Sequence, residues 1–281
     1  MSLDLAARRR SVLSVPADDP RKIAKALAAG ADEVVVDRED AVAVPHKDRA
    51  RAVVATAEWP VERPLVAVRV NGIDTPWFEA DVLAAVVAGA DSIVLPKAES
   101  RADVARAEAL LVDEGRGVAI QALIETAAGL AGLADITSVP DRLASVVLGY
   151  ADLAASLGRR QVDPGRWVVA QELVLLHARA AGIAAVDGPY LGVDDDAAFR
   201  GAVGAVSAAG FDAKWVIHPR QVPAVNAAFV PSEEAVEHAQ RVLEALAAAE
   251  TEGRGAVQLD GQLLDGAMAV HARRVLGKAV R

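Results

Sequence analysis

Short apolar runs alternate with Ala-rich amphipathic segments along the first four-fifths of the chain. The runs are "RSVLSVPA" (Arg10–Ala17), "EVVVDRED" (Glu33–Asp40), "PLVAVRVNG" (Pro64–Gly72), "SIVLPKAES" (Ser92–Ser100), "GVAIQALIET" (Gly117–Thr126), "ASVVLGYAD" (Ala144–Asp152), "IAAVDGPY" (Ile183–Tyr190) and "AKWVIHP" (Ala213–Pro219). Their length and β-branched content predict strands. Segments between them, such as "DPRKIAKALAAGA", "TPWFEADVLAAVVAGA" and "DDDAAFRGAVGAVSAAGF", carry a helical period and several close on Gly-Ala or Gly-Phe, which suits a helix C-terminus just before the next strand. Such alternation implies parallel strands with helical crossovers. Eight units in about 220 residues match a (β/α)8 TIM barrel. A doubly wound open sheet is the competitor; the count of eight and the lack of a G-x-G-x-x-G after the first run favour the barrel.

In a barrel the active site lies where the strands end. Here those ends read Asp37, Glu39 and Asp40; Arg69 and Asn71; Lys97 and Glu99; Glu125; Asp152; Asp187; and His218. Any one of them alone reads as a solvated loop residue or a helix cap. The set is harder to explain that way, because apolar strands nearly all end in a charge and both signs occur. Glu125 poses the question most sharply. It follows the buried-looking "VAIQALI" and precedes the small residues Ala127, Ala128 and Gly129. It either faces water at a helix N-terminus or holds something cationic, since a buried carboxylate without a partner costs several kcal/mol.

Glu125 and Asp152, on successive strands, are the ligand type a hard cation prefers, and Mg²⁺ takes one or two carboxylates with water and substrate oxygens completing its octahedron. Arg69 could fork to a substrate carboxylate. Lys97 after "IVLP" could form a Schiff base, but a lysine on a charged rim is more often an ion-pair partner. Asp37, Glu39, Asp40 and Lys97 are therefore placed as supports around the site. His218 is the only histidine at a strand end, so a His-rich zinc centre is not expected.

Composition narrows the picture. The 281 residues are 53% hydrophobic and contain no cysteine, which removes disulfides, thiolate nucleophiles and Cys-ligated metals. The net charge of −9 argues against a nucleic-acid-binding face. Basic clusters stand only near the ends, at Arg8–Arg10 and His271–Arg281. No apolar run is long enough to span a bilayer, and "MSLDLAARRR" lacks a signal-peptide core, so no membrane partner and a cytoplasmic location are expected.

The motifs, taken in order, resemble a known family. "RSVLSVPADDPRKIAKALAAGADEVVVDREDAV", "VRVNG", "VLPKAES", "ALIETAAGL", "LGYADLAASLG" and "GFDAKWVIHPRQVPAVNAAFVPSEEAV" resemble successive motifs of the citrate lyase β-subunit-like branch of the HpcH/HpaI aldolase family. The resemblance covers nearly the whole chain, and the ordered set is specific where each motif alone is weak. It implies a barrel over residues 1–230 and a C-terminal helical lid over 231–281. It also implies a lyase dependent on Mg²⁺, with Mn²⁺ as the alternative, that breaks or forms a carbon–carbon bond in a malyl-, citramalyl- or citryl-type thioester. The thioester would be of CoA or an acyl carrier protein, and the partner product a 2-oxo acid.

On this resemblance Glu125 and Asp152 are metal ligands that meet the substrate, and Arg69 holds the oxo-acid carboxylate or the developing enolate oxygen. Asp265 in "GQLLDGAMAVHARRVL" is the catalytic aspartate of a lid that can serve a neighbouring subunit, so a homo-oligomer, a trimer, is expected. Arg10, Lys47 and Arg38 are the nearest basic candidates for CoA phosphates. Three positions depart from the family pattern: Arg38 in "DRED" replaces an apolar residue, "YAD" replaces "T-E-D", and "DGA" lacks the proline after Asp265. The competing readings are a metal-dependent pyruvate-type aldolase that needs no CoA, and a non-catalytic barrel that binds an oxo acid.

Overall fold

The computed structural model describes residues 9–112, 117–138, 141–159 and 167–279. Arg8 and Arg281, the outer members of the two basic clusters, lie outside the described residues. The chain divides into two compact units, residues 1–226 and 227–281, where the sequence reading put the boundary after residue 230.

In the first unit the order is β1 (Ser11–Pro16), α1 (Pro20–Leu27), β2 (Glu33–Asp37), α2 (Lys47–Ala55), β3 (Leu65–Arg69), α3 (Phe78–Val87), β4 (Ser92–Leu95) and α4 (Arg101–Val112). There follow β5 (Ala119–Ile124), the short helices α5 (Ala127–Ala131) and α6 (Leu133–Ile136), β6 (Leu143–Leu148), α7 (Tyr150–Ser156) and α8 (Val168–Ala180). Then come β7 (Ala184–Asp187), α9 (Ala197–Ala209), β8 (Ala213–Val216) and α10 (Val222–Ala228), which ends just past the boundary. The eight strands are parallel and close in sequence order, with Val12 of β1 opposite Trp215 of β8. The fold is thus an α/β (β/α)8 barrel, as the alternation predicts.

Local chemistry sets the helix ends. Asp19 accepts the N–H groups of Arg21 and Lys22 at 3.0 and 3.2 Å, and Pro20 opens α1, a preorganised start. Asp196 caps α9 through the Phe199 N–H at 2.7 Å, and Gly210 at φ 103° ends it. The face it buries, Phe199, Val203 and Val206, has the helical spacing that the Ala-rich pattern displayed.

Because side chains alternate across a strand, every second residue points into the barrel, and three interior layers result. At the N-terminal end, Gln121 Nε2 donates to Glu33 Oε1 at 2.7 Å and Ser92 Oγ at 2.8 Å, and Ser145 Oγ donates to Gln121 Oε1 at 3.1 Å. Arg9 closes this floor on Glu33 Oε2 at 2.6 Å. Above it lies an apolar layer of Val12, Val35, Ala67, Val94, Leu123, Val147, Val186 and Trp215. Two residues further along β2, β3 and β5, the same faces carry Asp37, Arg69 and Glu125 at the mouth.

Each strand is shorter than its apolar run suggested. β2 stops at Asp37 and β4 at Leu95, because Glu39, Asp40 and Lys97 leave the ladder to enter the mouth.

The second unit pairs α11 (Glu233–Thr251) with α12 (Gly266–Ala279), around Ala239, Val242, Leu264 and Ala272. Ser232 caps α11 on the Ala235 N–H at 3.1 Å, ahead of Glu233 and Glu234, acids that suit a helix N-terminus. The region expected to be helical also contains a hairpin of β9 (Val257–Leu259) and β10 (Gln262–Leu264). Its two-residue turn, Asp260-Gly261 at φ 51° and 81°, is the Asp-Gly signal of a tight hairpin. Among the described residues, no helix is long and apolar enough to cross a membrane.

Candidate active site

Asp37 and Arg69 are Cα partners at the ends of β2 and β3. Arg69 Nε and Nη2 donate to the two Asp37 oxygens at 2.8 and 2.5 Å. Its Nη1 lies 2.9 Å from Glu39 Oε2 and 3.9 Å from Asp40 Oδ2. The fork expected to face a substrate carboxylate is therefore partly used internally. Of the five guanidinium hydrogens, that on Nε and one on Nη2 go to Asp37, and Nη1 makes a charge contact with Glu39 without a hydrogen bond, which leaves hydrogens on both terminal nitrogens for a ligand. Burial works against the charge of Arg69, but Asp37 and Glu39 outweigh it and raise its pKa.

Lys97 follows β4 in the left-handed region, at φ 50°, a conformation that costs a non-glycine residue about 1 kcal/mol or more. Two glycines allow the loop that follows it to pack closely. A Cβ on Gly129 would lie 2.5 Å from Ala98 O, and one on Gly132 would lie 2.4 Å from Glu99 O. The small residues after Glu125 thus let the short helical segment press against the loop that carries Lys97. Lys97 N donates to Glu125 Oε1 at 3.1 Å. Its ammonium lies 2.6 Å from Glu39 Oε1, 3.2 Å from Asp152 Oδ2 and 3.8 Å from Glu125 Oε1. Burial lowers its pKa, but the Glu39 hydrogen bond and the charges of Glu125, Glu39 and Asp152 raise it further. A Schiff-base lysine requires the opposite shift, so Lys97 acts as a cation.

Glu125 is 3% exposed, and Thr126, not Glu125, caps the following helix through the Gly129 N–H. The water-facing reading of Glu125 is thereby excluded. Burial first, then the Glu39 charge, push its carboxyl up to about 8 against the pull of Lys97 and Arg69. Gly149 makes room for it: a Cβ there would lie 2.6 Å from Glu125 Cβ and 2.8 Å from Oε2. Asp152, in the first turn of α7, lines the same cavity of about 430 Å³ with Asp37, Arg69, Glu125 and Trp215.

Other strand-end residues do not join. Asn71 donates to Asp81 at 2.5 Å, and the fully buried Arg38 pairs with Asp81 at 2.6 Å, so the added positive charge at "DRED" points away from the mouth. Asp187 accepts from Tyr150 and Lys214 behind the barrel wall. Glu99 accepts from Thr126 at 2.7 Å, and His218 Nδ1 accepts the Arg220 N–H at 3.2 Å as a turn cap.

The basic residues offered for CoA phosphates are also committed. Arg10 precedes β1, at the end opposite the mouth, and is buried on Asp32 at 2.9 and 3.1 Å and on the Asn226 carbonyl. Lys47 is buried and donates to the carbonyls of Arg38 and Glu39 at 2.8 and 2.6 Å. It braces the acidic loop. In the second unit Asp265 is exposed, and its Oδ1 accepts the Ala267 N–H at 2.9 Å at the start of α12.

The cluster suits a divalent cation. Asp37, Glu39, Asp40, Glu125 and Asp152 are answered by Arg69 and Lys97 in the mouth and Lys47 behind it, which leaves a surplus of negative charge. Burial raises the Glu39 pKa, and its Oε2 is buried without a hydrogen bond. Among the described residues no three acidic or histidine side chains form a ready cage. Two carboxylates with substrate and water suffice for Mg²⁺, and Glu125 and Asp152 line the open cavity together with Asp37 and Asp40, of which Asp37 is taken by the Arg69 fork.

Sequence reading missed Gly149 and Trp215 as parts of this site. A glycine closing an apolar run is a signal of close approach, but nothing local says what approaches.

The family model described as HpcH/HpaI aldolase/citrate lyase matches residues 10–219. The chain is 34% identical over 278 residues to citrate lyase subunit beta of Leuconostoc mesenteroides subsp. cremoris, covering 95% of this chain and 92% of that one. It is 38% identical over 273 residues to a (3S)-malyl-CoA thioesterase of Cereibacter sphaeroides, covering 96% and 94%. The crystal structure of CitE from Mycobacterium tuberculosis in complex with magnesium, acetoacetate and coenzyme A superposes with a TM-score of 0.79 at 33% identity, covering 98% of this chain and 99% of that one.

Proposed function

Since the chain belongs to the HpcH/HpaI aldolase/citrate lyase family, we propose that it is a Mg²⁺-dependent carbon–carbon lyase acting on a 3-hydroxyacyl thioester of the malyl, citramalyl or citryl type. The observation that carries this reading is the meeting of Glu125 and Asp152 beside Arg69 in one open cavity. Glu125 and Asp152 would hold the metal, with Mn²⁺ able to replace it. Bound there, the ion supplies Lewis-acid polarisation of a substrate oxygen.

The protein's own groups do the rest. Asp37 fixes the Arg69 guanidinium, so its free hydrogens meet the oxo-acid carboxylate or the enolate oxygen without reorganisation. In cleavage the 3-hydroxyl gives its proton to solvent water, the bond between the two carbons breaks to leave a ketone or aldehyde, and the acyl-thioester enolate takes a proton at carbon. Asp265 is the proposed donor of that proton, and the base that removes it in the condensation direction. A carboxylate desolvated on lid closure is a stronger base. Asp265 would act in a neighbouring subunit's barrel, within a cytoplasmic homotrimer.

The (3S)-malyl-CoA thioesterase relative supports a second reading, in which water attacks the thioester carbonyl. Malyl-, citramalyl- and citryl-CoA, each offered with and without Mg²⁺, separate the two. The lyase releases an oxo acid and keeps the acyl-CoA thioester, whereas a thioesterase releases a hydroxy acid and free CoA thiol. Glu125→Gln is expected to lower the Mg²⁺-dependent rate by about 10²-fold or more. Free thiol without oxo acid overturns the lyase. Silence on all three CoA esters together with cleavage of the acyl-carrier-protein ester moves the carrier and keeps the reaction.

A further inference from the structure

We propose that the Lys97 ammonium is an internal counter-cation competing with the divalent metal for Glu125 and Asp152, so that firm metal binding requires the oxo acid. The inference rests on the metal reading above and adds a residue that sets the order of binding.

The geometry supports it in three ways. The ammonium sits among three carboxylates, at 2.6 Å from Glu39, 3.2 Å from Asp152 and 3.8 Å from Glu125. A metal bound to the last two would stand within a few ångströms of this charge. Second, the Lys97 backbone is tied to the same site. At φ 50° its N–H donates to the Glu125 oxygen, and the loop that carries it packs closely on Gly129 and Gly132. Third, the side chain has room to turn aside, since it is 41% exposed and ends a flexible four-carbon stem.

Like charges at this range in a half-buried site repel strongly. Free metal is therefore held weakly. A 2-oxo acid changes the balance by bringing a carboxylate for the displaced ammonium and oxygens for the metal. Each ligand then raises the affinity for the other by the same factor.

Mn²⁺ is the probe, with free ion counted by electron paramagnetic resonance in the presence and absence of glyoxylate. The wild type is expected to bind Mn²⁺ weakly alone and at least about tenfold more tightly with glyoxylate. Lys97→Met should bind Mn²⁺ alone about tenfold or more tightly than the wild type, with most of the glyoxylate effect gone. Lys97→Arg, which keeps the charge, should stay close to the wild type. Thermal melts in EDTA check folding, and Lys97→Gln is the second neutral variant.

Mn²⁺ bound equally by wild type and neutral variants overturns the inference alone. Weaker binding in the neutral variants also overturns it, and makes Lys97 a support that orients Glu125. No Mn²⁺ bound by any of the proteins, with or without glyoxylate, overturns the metal reading and the inference with it.

Discussion

Glu125 is the residue on which the site turns, and its environment makes a pH prediction. Its folded pKa of about 8 lies above the ordinary 4.5, so the folded protein binds this proton more tightly than the unfolded chain. The associated stability is complete below about pH 4.5 and is lost as pH rises through 8. In EDTA, the wild type should therefore lose stability relative to Glu125→Gln by a few kcal/mol between pH 5 and 8.5, in urea titrations at each pH. A constant difference would mean that the carboxyl is not desolvated. Gly149 is tested by Gly149→Ala. The methyl group would contact Glu125 Cβ and Oε2 at 2.6 and 2.8 Å, and a displaced ligand should cost about 10²-fold in kcat, with an unchanged circular dichroism spectrum. Glu125, Asp152 and Arg69 were legible in the sequence because an acid or base stands out at the end of an apolar run. Gly149 was not, because its role is defined by a side chain on the neighbouring strand.

At the scale of elements, the barrel floor and the loop after β4 make separable claims. Glu33 meets Arg9 and Gln121 inside the barrel, one full apolar layer below the mouth. Burial raises its pKa against the pull of Arg9. Glu33→Gln leaves the Arg9 guanidinium buried without its counter-charge and should cost about 3–5 kcal/mol in urea unfolding. The residual folded enzyme should keep its kcat. Gly129→Ala should do the reverse. Its Cβ meets the Ala98 carbonyl at 2.5 Å, so it moves the Lys97 loop and lowers activity more than stability. The strand-end set divides by the parity of the pleat. Asp37 and Arg69 follow the inward residues Val35 and Ala67 by two positions, while Asp187 follows the inward Val186 by one and points outward onto Lys214. That parity is present in the sequence once the inward register is known. The register is visible only after the barrel closes. The hairpin at Asp260-Gly261 was legible by its turn residues, yet it was obscured by the helical segments on either side.

For the whole molecule, the proposed assembly has its own test. If Asp265 serves a neighbour, Asp265→Asn and Glu125→Gln subunits are each inactive, and mixing them before reassembly should restore roughly a quarter of wild-type activity in random trimers. No recovery in mixed oligomers would confine Asp265 to its own subunit, and an active monomer in light scattering would remove the assembly altogether. Fold class was readable from the chain because strand and helix periods are local, and because eight units of that length leave few architectures. A charged site at the strand ends was readable for the same reason, since charges cluster at the ends of successive strands, whereas the reaction type came from the ordered motifs that resemble the family. Which of those charges meet was not readable. Arg69 reaches Asp37 from 32 positions away, and Lys97 reaches Glu39 from 58. The commitment of Arg10 and Lys47 to Asp32 and to two carbonyls likewise arises from packing. Periodicity is a property of neighbours along the chain. Ion pairing and burial follow distance in space, which closure of the eight strands sets.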